Sequence, residues 1–427
     1  MVVRRPVKRI ASAVVGRTVT LVLVDAAGEV LGATAPLRLA LPFWQEAADV
    51  VAAAREHCGV GVDVLRMLRA DRPAPPGGHL TVLAQAHGVP AAPLAPVAVD
   101  LHPDPLRAPW AVPGGPAASV RWAVDALAAS GSAGRAASGS AAPGPVVAVQ
   151  QRSWNLSAVW RLDLHGSPVA WLKQVPWFLA HEPVLLRLLG RVAPGLAPRL
   201  LADGPEGRQL LAHVPGEDRY GAPAALRAGI AADWHPVQSA LVDAAGELVA
   251  AGVPDRRDVL SRVAAVATPH RRDIPGLGAL VDDLPARLAA VAACAVPCTL
   301  VHGDLHPGNV RTDGARRVIL DWGDASVGHP AYDILRLIEG LPPVDAAARV
   351  AAWAGRWRAA VPGSDPARAA ALLRPVAALL AAAQYDDFLR SIEASERPYH
   401  AADVADRLTA AVAVAGAAPE PGIPWTS

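Results

Sequence analysis

The stretch that decides the fold lies in the last third of the chain. Residues 301–310 read V-H-G-D-L-H-P-G-N-V, and residues 318–324 read V-I-L-D-W-G-D. Apolar residues next to both polar stretches predict short buried strands, and the Asp313-Gly314 pair between them is a strong hairpin-turn signal. A hairpin would bring three polar side chains to one end of the strand pair: Asp304, Asn309 and Asp321.

The residue types in this stretch suit phosphoryl transfer. Carboxylate and amide oxygens are ligands that Mg²⁺ accepts, and a further carboxylate beside them would act on an attacking hydroxyl. The alternative is a polar loop whose Asp and Asn side chains only cap turns. A single Asp would favour that alternative, whereas the spacing of all three side chains favours the metal site.

Length and composition limit the classes of protein. A chain of 427 residues is too long for one ordinary core and predicts two or three domains. The formal net charge of +1 gives no field that favours nucleic acid or an anionic membrane as a partner. The three cysteines lack zinc-site spacing, so we expect reduced thiols and a cytoplasmic protein, whose oligomeric state stays open.

The N-terminus resembles an export signal only superficially. A basic cluster within residues 4–9 precedes an apolar run, but Arg17 interrupts that run and residues 18–24 continue as a strand. We expect no apolar stretch to approach the roughly 20 residues that span a bilayer. The sequence therefore predicts neither export nor a membrane span.

Lysine is nearly absent from the chain. Only Lys8 and Lys173 occur, because arginine fills almost every other basic position. Lys173 lies in the alternating strand pattern V-A-W-L-K-Q-V of residues 169–175. A lone lysine on a strand is usually solvated, but its retention here favours a specific role.

The motifs H-G-D-L-H-P-G-N and I-L-D-W-G-D, followed by H-P-A-Y-D at residues 329–333, resemble the aminoglycoside phosphotransferase family. These small-molecule kinases are relatives of protein kinases. The resemblance implies an α+β, bilobal protein-kinase-like fold with a small antiparallel β-sheet lobe and a mostly helical lobe. It also implies transfer of the γ-phosphate of ATP, with Mg²⁺, to a hydroxyl of an aminoglycoside-like or other hydroxylated metabolite.

The same resemblance assigns roles to individual residues. Asp304 would be the catalytic base, and Asn309 and Asp321 would hold Mg²⁺. Lys173 would contact the nucleotide phosphates, with Glu182 as the carboxylate that orients it. Pro183 leaves Glu182 open to a second interpretation as a helix cap.

Further contacts to the nucleotide are expected from the small lobe. Residues 151–155 would form a loop between two strands, where Ser153 and Asn155 offer donors to phosphate. An ordinary hairpin turn is about as good an interpretation of that loop. The backbone at Ala212 and Val214 would meet the adenine edge, on the resemblance alone.

The first part of the chain resembles a Nudix fold. Its strand, hairpin, helix and strand series includes Glu46 and R-E-H-C-G at residues 55–59, similar to a Nudix box that has lost its Glu-Glu pair. One remaining carboxylate near Arg55 cannot build a multi-metal site, so we expect this α/β domain to be non-catalytic. The predicted divisions are residues 1–127 for the Nudix-like domain, 128–145 for a flexible linker, 146–215 for the small lobe and 216–427 for the helical lobe.

The sequence does not name the acceptor. A polycationic aminoglycoside needs carboxylates, which Asp386, Asp387, Glu393 and Glu396 could supply, although arginines among them favour an exposed face of mixed charge. A non-catalytic sensor that binds nucleotide through a kinase-like fold is the competing class. The complete set of Lys173, Asp304, Asn309 and Asp321 argues against that class.

Overall fold

The computed structural model describes residues 16–131 and 144–416. The basic cluster at residues 4–9 and most of the predicted linker lie outside the described residues. Within them, a mixed-sheet domain precedes a bilobal α+β unit. The predicted fold class of the bilobal unit is confirmed.

The N-terminal domain is a five-stranded sheet with one helix. Its strands are β1 (Arg17–Val24), β2 (Val30–Ala33), β3 (Leu37–Leu39), β4 (Val62–Ala70) and β5 (Gly78–Ala86). The strand order is β2-β1-β5-β4, and β3 also pairs with β1. Strands β1 and β5 run parallel, whereas the other pairs are antiparallel. Helix α1 (Ala48–Cys58) ends at Gly59, which adopts the left-handed conformation common at helix ends. The Nudix resemblance of this domain stays a prediction.

The small lobe is the predicted five-stranded antiparallel sheet. Its strands are β6 (Val146–Trp154), β7 (Ser157–Leu164), β8 (Ser167–Gln174), β9 (Leu200–Gly204) and β10 (Arg208–Ala212), in the order β6-β7-β8-β10-β9. Helix α3 (Glu182–Val192) connects β8 to β9 and buries its leucine face. The pairing of β6 and β7 continues to Trp154 and Ser157, so a two-residue turn replaces the expected loop at 151–155.

A helix assigned to the first domain packs on the small lobe instead. Helix α2 (Gly115–Ala129) buries Ala123 and Leu127 in one apolar cluster with Trp160 and Leu172 of the small-lobe sheet. The boundary predicted at residue 127 therefore falls inside a helix of the small lobe. The boundary was wrong because the position of a flexible linker does not show on which sheet the preceding helix packs.

The large lobe is mostly helical, as predicted. Its helices are α4 (Ala224–Ala240), α5 (Ala245–Ala250), α6 (Val259–Ala267), α7 (Leu277–Ala293), α8 (Ala331–Leu337), α9 (Pro343–Ala360), α10 (Pro366–Ser391) and α11 (Asp403–Gly416). Helix α10 packs against α6, α7, α8, α9 and α11, and forms the centre of the lobe.

Helix α10 corrects one expectation about apolar stretches. It has 26 residues, and an 18-residue window with a mean hydropathy of 1.3 is apolar enough to cross a membrane by length and composition. The expectation that no stretch approaches this length was wrong, because Ala and Leu dominate the helix between its few charged residues. Since 56% of the window is buried inside the protein, the core position of α10 accounts for this composition.

The N-terminal domain contacts both lobes. On the small lobe, the side-chain amide of Gln150 forms two hydrogen bonds of 2.8 Å with the backbone of Val64. On the large lobe, the Glu396 carboxyl accepts a 2.7 Å hydrogen bond from the Met67 backbone N–H. Burial raises the pKa of Glu396 to about 8, so its carboxyl is protonated in the folded protein at neutral pH.

This buried carboxyl predicts a pH dependence of stability. The pKa of the Glu396 carboxyl is higher in the folded chain than in the unfolded chain. The protonated carboxyl therefore contributes its full stabilisation of the fold at pH values below the pKa of the unfolded chain. This contribution is lost as the pH rises through about 8. Glu396→Gln should remove this slope, which is on the order of 1.4 kcal/mol for each pH unit between the two pKa values. The measurement is the melting temperature of wild type and variant between pH 5 and pH 9.

The exposed Glu247→Gln serves as the control and should keep the wild-type slope. If Glu396→Gln and wild type lose stability in parallel across this range, Glu396 is not protonated at the domain junction.

Candidate active site

One buried cation connects the two lobes. Lys173 Nζ on β8 donates to Glu182 Oε2 at 2.5 Å and to Asp321 Oδ1 of the large lobe at 2.7 Å. Burial alone would lower the pKa of Lys173, but Asp321 and Glu182 outweigh that effect and raise it above its ordinary value. The predicted Lys173–Glu182 pair is confirmed.

Glu182 combines the two interpretations left open by the sequence. It is the first residue of α3, with Pro183 after it in the first turn, yet its carboxylate points into the protein and is 1% exposed. Gln209 Nε2 donates to Glu182 Oε2 at 2.7 Å, and the backbone N–H of Trp322 donates to Oε1 at 3.0 Å. Glu182 therefore fixes the position of the lysine and also binds the segment after Asp321.

The predicted hairpin brings the three polar side chains together. Strands β13 (Val310–Asp313) and β14 (Arg316–Ile319) pair antiparallel around the predicted turn. Before this hairpin, β12 (Thr299–Val301) pairs with β15 (Ser326–Gly328), a strand that the sequence did not suggest. Asp304 and Asn309 are thus held in a loop between β12 and β13, and Asp321 follows β14.

Asp333 fixes the backbone of the loop that carries Asp304. Its carboxylate accepts from the N–H groups of His302 at 2.9 Å and Gly303 at 3.0 Å, and from Trp234 Nε1 at 2.7 Å. His302 is fully buried and its ring contacts the Leu320 carbonyl at 2.9 Å. Both residues brace the loop.

Gly303 is required by close packing within this loop. Its φ is +82°, and a Cβ there would lie 2.2 Å from the carbonyl oxygen of Asp324. Any other residue would push apart the two segments that carry the acidic side chains. Asp321 itself has a φ of +67°, a strained conformation for a non-glycine residue that occurs preferentially at functional sites.

Asp304 is held by two basic neighbours. Arg336 Nε donates to Asp304 Oδ1 at 2.7 Å, and His306 Nε2 lies 3.4 Å from Oδ2. Burial alone would raise the pKa of Asp304, but Arg336 and His306 hold it well below its usual range. The carboxylate is therefore ionised at neutral pH and suited to orienting a hydroxyl.

The side chains predicted to hold Mg²⁺ fit that task. Asn309 Nδ2 donates to the Asp304 carbonyl at 2.9 Å, which turns Asn309 Oδ1 away. This oxygen is buried and has no hydrogen-bond partner among residues 16–131 and 144–416. No group of three or more His, Cys, Asp or Glu side chains in those ranges could hold a metal. One amide and one carboxylate suffice when phosphate oxygens complete the octahedron around Mg²⁺.

A cleft of about 270 Å³ lies between the lobes beside Lys173. Ala212 and Val214 line it, as predicted for contacts to a nucleotide base. Trp171 lies two residues before Lys173, on the same face of β8, and also lines the cleft. Its Nε1 donates to His213 Nδ1 at 3.0 Å, so the indole is fixed next to the connection between the lobes.

Two predicted phosphate contacts are wrong. Ser153 Oγ donates to the Leu65 carbonyl at 3.1 Å, and Asn155 bonds the backbone of Glu396 and the ring of His400. Neither residue lines the cleft. Strand β6 continues through Ser153, so this side chain faces the N-terminal domain, and Asn155 in the turn faces the large lobe.

Arg152 was not among the residues predicted to contact the nucleotide. It occupies the position in the cleft that was expected for Ser153 and Asn155. It lines the cleft, and its Nε lies 3.3 Å from Glu46 Oε1 of the N-terminal domain. Burial lowers the pKa of Arg152, but Glu46 and Tyr220 outweigh it and raise the pKa. Alternation along β6 could have revealed it only if the strand had been known to pass residue 150. No local sequence pattern indicated Arg336, because its ion pair with Asp304 forms only when α8 packs against the loop that carries Asp304.

A second cavity of about 450 Å³ opens on the other side of Asp304, within the large lobe. The four acidic residues considered for a polycationic acceptor do not line it. Asp386 pairs with Arg390 and Asp387 with Arg262, while Glu393 pairs with Arg107 at 3.0 Å. Glu396 is buried at the domain junction. The acidic cluster suggested by the sequence therefore does not form an acceptor site, since each member has its own partner.

Part of the chain is similar in sequence to a known protein family. Residues 167–372 match the model of the phosphotransferase enzyme family, and no curated protein matches the chain. A choline/ethanolamine kinase family protein from Mesorhizobium loti is 15% identical, with a TM-score of 0.45 over 69% of this chain and 95% of that one. A macrolide 2'-phosphotransferase from Brachybacterium faecium is 21% identical, with a TM-score of 0.42 over 62% of this chain and 90% of that one. The GDP complex of aminoglycoside 2'-phosphotransferase-IIIa is 17% identical, with a TM-score of 0.44 over 64% and 94%.

Residues 167–372, slightly under half of the chain, are similar to the phosphotransferase enzyme family. The protein is a phosphotransferase with a hydroxyl acceptor, built on a bilobal protein-kinase-like fold.

The buried lysine gives a prediction for stability. Lys173→Met leaves the carboxylates of Glu182 and Asp321 buried without their cation, at a cost of roughly 3–5 kcal/mol. The melting temperature should fall on the order of 10 °C. Arg187→Gln removes an exposed pair with Asp203 from the same lobe and should change it little. Equal effects of the two variants would show that Lys173 does not connect the lobes.

Proposed function

We propose that the chain transfers the γ-phosphate of ATP to a hydroxyl group of a small molecule, with Asp304 as the catalytic base. The observation that carries the proposal is the position of Asp304. It lines the large-lobe cavity, and its backbone carbonyl accepts a hydrogen bond from Asn309, whose own carbonyl accepts one from Leu320 next to Asp321. An acceptor in the cavity and a nucleotide in the cleft would thus meet at this loop.

The nucleotide is placed by residues of both lobes. In this proposal the base lies against Trp171 and meets the Val214 backbone N–H, because the N–H groups of Ala212 and His213 already donate to Arg199 and Val169. Lys173 and Arg152 neutralise the phosphates. Asn309 Oδ1 and the Asp321 carboxylate would hold Mg²⁺, which would neutralise charge on the β- and γ-phosphates.

Asp304 acts on the acceptor. Its carboxylate accepts a hydrogen bond from the acceptor hydroxyl and aims the oxygen at the γ-phosphorus. The low pKa makes Asp304 a weak base, so the proton moves late, as the new O–P bond forms and ADP leaves. Arg336 and His306 keep the carboxylate ionised and in place. Rate enhancement then depends on positioning and charge more than on proton abstraction.

A nucleotide-binding sensor without turnover is the competing function. It would need the same cleft but no acceptor. A tethered Nudix hydrolase is a third possibility, and there Arg55, Glu56 and His57 of α1 are all exposed instead of converging on a site. The cytoplasm remains our proposal for the location, since Cys58, Cys294 and Cys298 form no disulfide in the described chain.

The decisive variant is Asp304→Asn. It keeps the shape of the side chain and removes the proton acceptor, so acceptor-dependent kcat should fall by about 10²–10⁴. The KM for ATP should hardly change, because Asp304 does not line the nucleotide cleft. The measurement is ADP release with Mg²⁺ over a panel of hydroxylated molecules, with ATP and GTP compared.

Asp313→Asn makes the same chemical change in the exposed hairpin turn and should leave the rate unaltered. Equal ADP release by wild type and Asp304→Asn across the panel would favour the sensor and end the kinase proposal.

A further inference from the structure

The large-lobe cavity beside Asp304 is rich in arginine. Three carboxylates face it, those of Asp304, Asp324 and Glu339. Five guanidinium groups face it, those of Arg256, Arg262, Arg336, Arg374 and Arg407. The lining therefore carries a surplus of two positive charges. An acceptor site for a polycation requires the opposite balance.

Ion pairing inside the protein leaves a surplus of one positive charge, because one of the partners, Asp387, lies outside the lining. Arg336 uses Asp304 and Glu339, and Arg262 pairs with Asp387. Neither Arg256 nor Arg374 has a carboxylate within ion-pair distance among residues 16–131 and 144–416.

Of these two cations, Arg256 gives the stronger indication of an anionic ligand. Its Nη1 donates to Gln384 Oε1 at 2.7 Å, and Gln384 in turn donates to Asp324. Burial lowers the pKa of Arg256, the cost of a guanidinium placed in the interior without a direct counter-ion. A guanidinium without a direct counter-ion is suited to a ligand whose carboxylate or phosphate supplies the negative charge.

The remainder of the cavity wall is apolar. Leu335, Ile338, Ala381 and Phe388 line it opposite the arginines. A ligand that satisfies both surfaces has an anionic group and a carbon skeleton. Its hydroxyl must reach Asp304 at the end of the cavity that faces the nucleotide.

We propose that the phosphate acceptor is a hydroxylated organic anion whose carboxylate or phosphate group is bound by Arg256 and Arg374. This inference rests on the proposed kinase function. The acceptor oxygen forms a bond to the γ-phosphorus, the bond from that phosphorus to the β,γ-bridging oxygen breaks, and ADP departs. The hydroxyl proton goes to Asp304 and then to solvent.

The test uses the full chain, Mg-ATP and acceptors in matched pairs. Glucose 6-phosphate is paired with glucose, glycerol 3-phosphate with glycerol, and phenyllactate with its neutral amide, and kanamycin serves as a polycation. Acceptor-dependent ADP release is measured for each. Binding is measured in parallel as the rise in melting temperature with the nucleotide site filled by Mg-ADP.

At least one anionic member should exceed its neutral partner by about tenfold or more in kcat/KM and in binding. Arg256→Gln and Arg374→Gln should each reduce that preference about tenfold through KM, with kcat and the KM for ATP retained. Arg374 is exposed, so its variant should fold even if that of Arg256 does not. Arg368→Gln, two turns earlier on α10 and outside the cavity, should match wild type.

Equal or better use of neutral or cationic acceptors would overturn the inference and leave the kinase function standing. Absence of binding by every anion would also overturn it. Arginine-dependent binding of an anion without ADP release would instead refute the kinase function and support the anion site. The two failures are therefore distinguishable.

Discussion

The rest of the site depends on one constraint, that a single lysine must satisfy two buried carboxylates from different lobes. Lys173 can do so only if β8, the start of α3 and the segment after β14 come within hydrogen-bond distance together. That requirement sets the width of the cleft. It also explains why arginine does not stand here, since the larger, forked guanidinium would not fit between two acceptors at 2.5 and 2.7 Å in the same way.

On the other side of Asp304 the electrostatic design is reversed. The cleft beside Lys173 is lined by four carboxylates and three cations. The acceptor side concentrates guanidinium groups around few carboxylates. Asp304 lies at the border between them, ionised because Arg336 and His306 stabilise its charge.

The sequence predicted what depends on short separations. The spacing of Asp304, Asn309 and Asp321 and the turn between them are local, and the structure brings the three together as expected. The predictions that failed depended on contacts between segments that are distant in the sequence. Strand β6 was predicted four residues too short, so Ser153 was assigned a phosphate contact and Arg152, which lines the cleft, was missed. The arginines of the second cavity come from elements far apart in the chain, and no pattern along the sequence connects them.

The edge of β6 also pairs with the N-terminal domain. The N–H of Ala47 donates to the Gln151 carbonyl at 3.0 Å, and that of Ser153 to the Gln45 carbonyl at 3.1 Å. The hairpin of β6 and β7 borders the proposed nucleotide cleft through Arg152 and Ser157. Here its backbone is ordered when the domains fold, so binding a nucleotide loses little further conformational entropy at this hairpin. The first domain would thereby influence how long a nucleotide stays bound in the proposed cleft.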